Sequence, residues 1–378
     1  MAARVLFAGG GTGGHLYPAL YLGEAVMRAD PAAEVFFVGA LRGVEARVLP
    51  EKRVAHELLP LEPIRRAQPL QNWRLIPSMF SSLAGLRRIF RTFKPDLVVG
   101  TGGYASGPAV AYALMTGVPA AVQEQNSFPG FVSRKVAGRV RQIHLAFPEA
   151  RKYLKIGART EVFDFGNPIQ PPDFNVDRAA ARARFELGGG TVCLVTGGSQ
   201  GARAVNEALL SDIRGAVEGR LPAPPEGFEI LWATGTGNYE AISQKLGEIG
   251  RPAWVKVMPY IQDMPGALAS ADFSVARAGA MSLAELCAWG VPSILIPLPT
   301  AAANHQYHNA VALADAGAAL MVEEKDLAPG RLWTDVQTLA ASPERRAQVA
   351  AKARERGRPD AADRIAGELL RLIREKKS

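Results

Sequence analysis

Cysteine is scarce. Cys193 and Cys287 are the only two in 378 residues, and both stand in apolar sequence. They supply neither a disulfide framework nor metal-ligand spacing, so a reducing compartment is expected. The chain also lacks Asp-x-Asp, His-Glu-x-x-His and any Cys/His cluster. No metal site and no cofactor are therefore expected. A run of ~18 apolar residues is missing, so no membrane span is expected. The N-terminus has neither the long apolar core nor the small-residue cleavage site of a signal peptide, and reads as a first strand. What remains, 48% apolar and 21% charged residues, is ordinary for a globular enzyme, and the length suggests about two domains.

Acidic residues are missing from one stretch in particular. Between Ile64 and Pro95 stand Arg65, Arg66, Arg74, Arg87, Arg88, Arg91 and Lys94 with no carboxylate, within a net charge of +8. Such a surface implies an anionic partner: phosphate, nucleic acid or acidic lipid. In the same stretch Leu75, Met79, Phe80, Leu83, Leu86, Phe90 and Phe93 recur at helical spacing. Most of that helix is expected to pack on a sheet with its arginines in solvent. Contact with an anionic membrane surface is expected of its start and the preceding loop, Ile64 to Trp73.

Glycine, by contrast, is concentrated. Phe7-Ala-Gly-Gly-Gly-Thr-Gly-Gly-His15 follows a short apolar run and precedes a helical pattern, Leu16 to Ala29. That places a glycine turn between a strand and a helix N-terminus, where amides and the helix dipole favour anions. The spacing of Gly9, Gly11 and Gly14 also satisfies the dinucleotide fingerprint, but the next strand, Glu34 to Gly39, ends without the carboxylate that would hold a ribose. A turn that binds nothing would need fewer glycines and no histidine.

Strands are expected at Arg4–Ala8, Glu34–Val38, Leu97–Gly100, Ala120–Gln123 and Gln142–Ala146. Their alternation with helices argues for a parallel sheet covered on both faces. A second glycine loop, Thr101-Gly-Gly-Tyr-Ala-Ser-Gly-Pro108, precedes a helix expected from Ala109. The polar cluster Gln123-Glu-Gln-Asn126 ends the fourth of these strands, at the edge where open parallel sheets bind ligands. Phe165-Gly-Asn-Pro-Ile-Gln-Pro-Pro-Asp-Phe174 reads as an extended connector.

The second half repeats the plan, with strands expected at Thr191–Thr196, Glu229–Ala233, Ala253–Val257, Phe273–Ala276, Ser293–Pro297 and Ala319–Val322. Gly197-Gly-Ser-Gln-Gly-Ala202 opens a helix after the first of them. After Phe273–Ala276 a helix begins near Ala280, with Ser282 in its first turn and Glu285 about one turn on. A carboxylate there suits a neutral, hydroxyl-bearing ligand whose phosphate meets the helix N-terminus; plain dipole stabilisation is the alternative. Residues 343–378 are expected to be helical, the last helix docking through its apolar face. Two doubly wound halves joined by a proline-rich hinge would bind ligands in a cleft between them.

These motifs, in this order, resemble the MurG family of bacterial cell-wall glycosyltransferases. The resemblance rests on Gly10–His15, Gly102–Pro108, Glu124–Asn126, Gly166–Pro168, Gly197–Ala202, Arg277–Ala280 with Glu285, and Asn304–Gln306 with Asn309, and covers essentially the whole chain. It implies the α/β GT-B fold, two Rossmann-like doubly wound parallel-sheet domains. Residues 1–165 would form an acceptor- and membrane-facing domain, with a helix at about 360–378 docked back on it, and residues 166–359 a UDP-sugar-binding domain. The implied reaction is inverting transfer of N-acetylglucosamine from its UDP donor to the muramyl sugar of lipid I, giving lipid II, at the cytoplasmic face of the membrane. No nucleic acid partner is implied.

By motif position, the backbone of Ile261 would meet uracil and Glu285 the ribose. Ser199 with Ala280, Met281 and Ser282 would meet the diphosphate, and Gln306 with His305 the sugar. Thr12, Gly13, Gly14 and Asn126 would close over the donor sugar. Gly13, Gly14, Gly102, Gly103 and Tyr104 would hold the acceptor diphosphate. The acceptor hydroxyl must lose a proton, which makes His15 the candidate general base. Two positions depart from the family. Gln123 stands where histidine is usual, and Gln170 where arginine is usual, leaving Arg203 or Arg277 to supply charge. Competing readings are a GT-B transferase with another lipid acceptor such as diacylglycerol, a sugar-nucleotide epimerase, and a non-enzymatic polyprenyl-lipid binder.

Overall fold

The computed structural model describes residues 2–62, 73, 75–198 and 201–377. Two compact units divide the chain: residues 1–170 with 358–378, and residues 171–357.

The first unit holds seven parallel strands: β1 (Arg4–Gly9), β2 (Glu34–Ala40), β3 (His56–Leu59), β4 (Leu97–Gly102), β5 (Ala120–Glu124), β6 (Gln142–Leu145) and β7 (Glu161–Asp164). Their spatial order is β3-β2-β1-β4-β5-β6-β7. Its helices are α1 (Gly13–Ala29), α2 (Glu45–Glu51), α3 (Ile76–Thr92), α4 (Gly103–Thr116) and α5 (Phe131–Val136). The two-residue period of a strand sorts the side chains between two cores. Val5 and Phe7 of β1 pack with Leu16 and Leu20 of α1. Leu6 and Ala8 pack on the other face with Leu86 and Ile89 of α3 and Val110 and Ala113 of α4. The strand order reverses beside β1, so β1 and β4 open side by side, and their C-terminal ends carry both glycine motifs.

The second unit holds β8 (Val192–Thr196), β9 (Glu229–Ala233), β10 (Val255–Met258), β11 (Phe273–Ala276), β12 (Ser293–Leu295) and β13 (Leu320–Met321), parallel and ordered β10-β9-β8-β11-β12-β13. Its helices are α6 (Arg178–Arg184), α7 (Arg203–Val217), α8 (Tyr239–Glu248), α9 (Met264–Ser270), α10 (Ala280–Trp289), α11 (His305–Asp315), α12 (Arg331–Ala341) and α13 (Pro343–Arg356). Cys193, Val195, Trp232 and Phe273 form one core with α7 and α12. Here the reversal falls between β8 and β11, which bear the other two loop motifs.

The last helix, α14 (Ala361–Lys377), belongs to the first unit. Ile365, Leu369, Leu370 and Ile373 are buried against α1. Burying a side chain of this kind is worth about 1.5–3 kcal/mol.

Three features depart from the sequence-based expectation. Strands β3 and β7 were not expected; they are short and polar, His56-Glu-Leu-Leu59 and Glu161-Val-Phe-Asp164. The helix expected from Ala109 begins at Gly103 instead. Gly102 and Gly103 adopt φ of +97° and +71°, turning β4 straight into α4 without a separate loop.

Candidate functional site

In the first unit the two glycine motifs interlock. A Cβ on Gly103 would stand 1.9 Å from the Gly10 carbonyl oxygen, and one on Gly102 would stand 2.7 Å from His15 Nδ1. Only glycine permits this approach, with its positive φ. The N-termini of α1 and α4 thereby come together, headed by Gly13 and Gly14 on one side and Gly103 and Tyr104 on the other. Thr12 is the N-cap of α1 in an extended conformation, and its side chain makes no capping bond. His15 lies in the first turn of α1, half-buried, with its Nδ1 3.1 Å from Gln125 Oε1. Its carbonyl accepts a 2.7 Å hydrogen bond from the Thr101 hydroxyl. Asn126 follows β5, its backbone amide donating to Glu124 Oε1 at 3.0 Å.

Sequence reading missed the carboxylate that shapes the turn. Glu45, the first residue of α2, is 0% exposed. Its oxygens accept the Gly11 amide at 3.0 and 2.9 Å, and Oε1 also accepts the Ala40 amide at 3.0 Å. β2 itself ends without an acid, as its sequence says; the carboxylate arrives from the next helix. The signal that could have located it is the ring of glycines. A Cβ on Gly10, Gly39 or Gly43 would collide with the Glu45 side chain at 2.3, 2.6 or 2.4 Å. Tyr104 closes the same turn. Its ring lies against Gly11 and its hydroxyl donates to the Arg42 carbonyl at 2.7 Å. Burial, then the nearby charges of Glu45 and Glu62, hold the phenol above its ordinary value, so it stays a neutral donor.

In the second unit a cavity of about 480 Å³ lies at the C-terminal ends of β8 and β11. Gly197, Gly198, Gly201 and Ala202 line one side, Gly279 and Ser282 another, and Gln306 a third. Ala202 and Gly279 are the N-caps of α7 and α10, and neither has a side chain able to close the helix end. α9, from the same sheet, is closed by Asp263, which accepts the Gly266 amide at 2.9 Å. Two helix N-termini whose N-cap side chains make no capping hydrogen bond, at one cavity, suit a diphosphate. Gln306 is held by its Oε1 accepting the Leu298 amide at 3.0 Å, and His305 Nδ1 lies 2.8 Å from the Ala302 carbonyl.

Ala280 and Met281 begin α10, and Glu285 lies one turn beyond Ser282 on it. Glu285 does not line the cavity itself, nor do Ile261 and His305. Burial raises the Glu285 carboxyl to about 7. Ile261 is buried just ahead of α9. Ser199 lies outside the described residues, as does most of the basic loop Ile64 to Trp73.

The two arginines considered as replacements at Gln170 differ sharply. Arg277 is buried at the cavity wall. It donates to the Ile296 and Pro297 carbonyls at 3.1 and 3.3 Å and forms an ion pair with Glu324 at 2.5 Å. Arg203 lies on exposed surface at the cavity mouth and, among the described residues, pairs with its helix neighbour Glu207 at 2.8 Å. An exposed pair of this kind is weak, so Arg203 can be redirected to a ligand at little cost, whereas Arg277 cannot.

Comparison with known proteins follows the same division. Residues 5–145 match the glycosyltransferase family 28 N-terminal domain, and residues 192–365 match the family 28 C-terminal domain. The UDP-N-acetylglucosamine–N-acetylmuramyl-(pentapeptide) pyrophosphoryl-undecaprenol N-acetylglucosamine transferase of Desulfitobacterium hafniense is 38% identical over 367 residues, covering 96% of this chain and 97% of that one. The crystal structure of Acinetobacter baumannii MurG superposes with a TM-score of 0.75 at 27% identity, covering 99% of both chains. A solved UDP-N-acetylglucosamine 2-epimerase, with a TM-score of 0.65 at 15% identity and coverage of 100% and 97%, shares the fold alone.

Proposed function

The chain belongs to glycosyltransferase family 28, and from that premise we propose that it transfers N-acetylglucosamine from UDP-N-acetylglucosamine to the muramyl sugar of lipid I, producing lipid II. The observation that carries this reading is the near full-length identity of 38% to a transferase of that name. It favours this reading over the epimerase, whose likeness is at 15% identity. The test is transfer of labelled N-acetylglucosamine to a lipid I analogue, with diacylglycerol and water as competing acceptors. Transfer to diacylglycerol in preference, or release of UDP with no acceptor present, would replace this reading with one of its rivals.

The second unit serves the donor. The N-terminal ends of α7 and α10, with Ser199 and residues Ala280 to Ser282, receive the diphosphate, and the helix dipoles stabilise the charge that grows as UDP departs. Arg203 adds the positive charge that Gln170 does not. Ile261 receives the uracil through its backbone. Gln306, with His305, meets the sugar. The first unit serves the acceptor. Its diphosphate lies at the joined N-termini of α1 and α4, on Gly13, Gly14, Gly102, Gly103 and Tyr104. The Gly11 amide is not part of this site, because Glu45 already occupies it. His15 takes the proton from the attacking hydroxyl.

Glu285 receives the ribose hydroxyls, and its raised carboxyl gives this role a pH signature. An ionised carboxylate accepts both hydroxyl protons, while the protonated form accepts through one oxygen only. Ligand binding therefore favours the ionised form, and uridine affinity is expected to climb as pH rises through about 7 and to level off above it. Uridine, unlike UDP, carries no phosphate that titrates in this range. Glu285→Ala is expected to weaken uridine and UDP by about tenfold, in line with ~1.5 kcal/mol for a hydrogen bond to a charged group. Calorimetry showing unchanged affinity, or a pH profile that survives Glu285→Gln, would remove Glu285 from the site.

The membrane reading concerns α3. Its C-terminal half packs on the sheet through Leu86 and Ile89. Its N-terminal half leaves Met79 61% exposed, Phe80 64% and Leu83 43%, with Trp73 at 65% just ahead. Among the described residues Arg87 and Arg91 are exposed on the same helix. No helix among the described residues is long and apolar enough to cross a membrane. The apolar end with its basic neighbours suits peripheral attachment to anionic lipid at the cytoplasmic face. Sedimentation with phosphatidylglycerol vesicles is expected to exceed that with phosphatidylcholine vesicles, and the paired change Met79→Asp, Phe80→Asp to reduce it several-fold. Equal sedimentation of the pair variant would exclude α3 as the attachment point.

A further inference from the structure

A chain of buried side-chain amides runs from the connector after β7 to the ring of His15, and the family match does not account for it. Resting on the reading of His15 as base, we propose that Asn167, Gln123 and Gln125 form a positioning relay that holds the His15 proton on Nδ1 and leaves Nε2 as the basic nitrogen.

Each amide in the relay has one possible orientation. Gln125 Nε2 lies 2.7 Å from the Thr101 carbonyl and 3.0 Å from the Gln123 carbonyl. A carbonyl has no hydrogen to give, so the nitrogen must be the end that faces both; the reversed amide would set oxygen against oxygen twice. Oε1 is thereby forced toward His15 Nδ1, 3.1 Å away. An oxygen accepts only, so Nδ1 must carry the hydrogen and donate it. The neutral ring then has its lone pair on Nε2.

The same logic fixes the next residues. Gln125 Nε2 also meets Gln123 Oε1 at 2.5 Å, and Gln123 Nε2 donates to Asn167 Oδ1 at 3.0 Å. Asn167 is set in turn by donating from Nδ2 to the Gln125 carbonyl at 3.2 Å. All three side chains are 3% exposed or less, so no bulk water competes for these bonds. The relay also gives Gln123 a purpose where the family usually has histidine. An amide has a fixed donor end and a fixed acceptor end, whereas an imidazole there could exchange its tautomer and lose the sense of the chain. The relay contains no group that titrates near neutral pH, so it imposes the same tautomer across the working range.

Side-chain nitrogen NMR on histidine-labelled protein reads this directly, above the pH at which the ring is neutral. His15→Ala identifies the His15 signals by their loss. Nδ1 is expected in the protonated, pyrrole-type range and Nε2 in the unprotonated, pyridine-type range. Gln125→Met, which fills the space without a polar atom, is expected to mix the two tautomers. It should lower kcat about tenfold, with both KM values and the UDP Kd within twofold. Protonated Nε2 in the wild type overturns the proposal, and so does an unchanged tautomer in Gln125→Met. Should that variant fail to fold, the wild-type spectrum alone still decides. The spectrum is taken without substrates, so it separates this proposal from the base assignment, which stands or falls on the turnover of His15→Ala.

Discussion

Replacing His15 with alanine is expected to lower kcat by about 10²–10⁴-fold while leaving UDP affinity within a few-fold of wild type. At 1.36 kcal/mol per tenfold, that is roughly 3–5 kcal/mol of lost transition-state stabilisation. The split between the two readouts follows from where the groups lie. His15 is in the first unit, on the turn where α1 and α4 begin, and the nucleotide is assigned to residues of the second. An alanine at this position of α1 keeps the helix, because alanine is the best helix former and the ring is only half-buried. The loss therefore reports chemistry and not unfolding, a point that circular dichroism checks. UDP is the proper probe of donor binding here, since it reads the nucleotide residues of the second unit alone. Single-turnover transfer within a few-fold of wild type would take His15 out of the chemistry, leaving the hydroxyl's proton to another group.

Much of the architecture behind this prediction was legible from residue order. Unbroken apolar runs such as Val5-Leu-Phe-Ala8 announced strands buried on both faces, and glycine runs at strand ends announced the binding edge. β3 and β7 escaped because His56-Glu-Leu-Leu59 and Glu161-Val-Phe-Asp164 carry too few apolar residues for a period to show. Their strand state comes from neighbours in the sheet, which no local pattern records. The start of α4 escaped because Gly103-Tyr-Ala-Ser-Gly-Pro108 reads as loop chemistry, whereas Gly102 and Gly103 confine the turn to themselves.

The site was legible as a set of residue types and not as a set of partners. Gln123 to Asn126 could be recognised as a polar cluster at a ligand-binding edge. Which amide faced which carbonyl depends on Thr101 and Asn167, which come from other strands and connectors. Arg203 and Arg277 looked equivalent by charge. Only burial and the ion pair with Glu324 tell the committed arginine from the available one.

Glu45 offers the second large effect, on stability instead of chemistry. Its carboxylate is fully buried, and its removal leaves the Ala40 and Gly11 amides without their acceptor. An unpaired buried amide costs about 1–3 kcal/mol, and the space once filled against Gly10, Gly39 and Gly43 adds a cavity term. Glu45→Ala is therefore expected to destabilise the first unit by about 3–5 kcal/mol, a large share of the ~5–15 kcal/mol that holds a domain. For a unit of this size the melting temperature should fall by about 6–20 °C. The two units need not unfold together, so a single midpoint is the wrong observable. Calorimetry with and without UDP resolves the matter, because a ligand raises only the transition of the unit that binds it. The UDP-insensitive transition should drop and the UDP-sensitive one hold. Glu45→Gln should fall between wild type and alanine: its oxygen can keep one or two of the amides, but its NH₂ must face the Gly11 N–H. A UDP-insensitive transition within about 2 °C of wild type in Glu45→Ala would mean that the glycine turn keeps its shape without the carboxylate. The convergence of α1 and α4 would then need another cause.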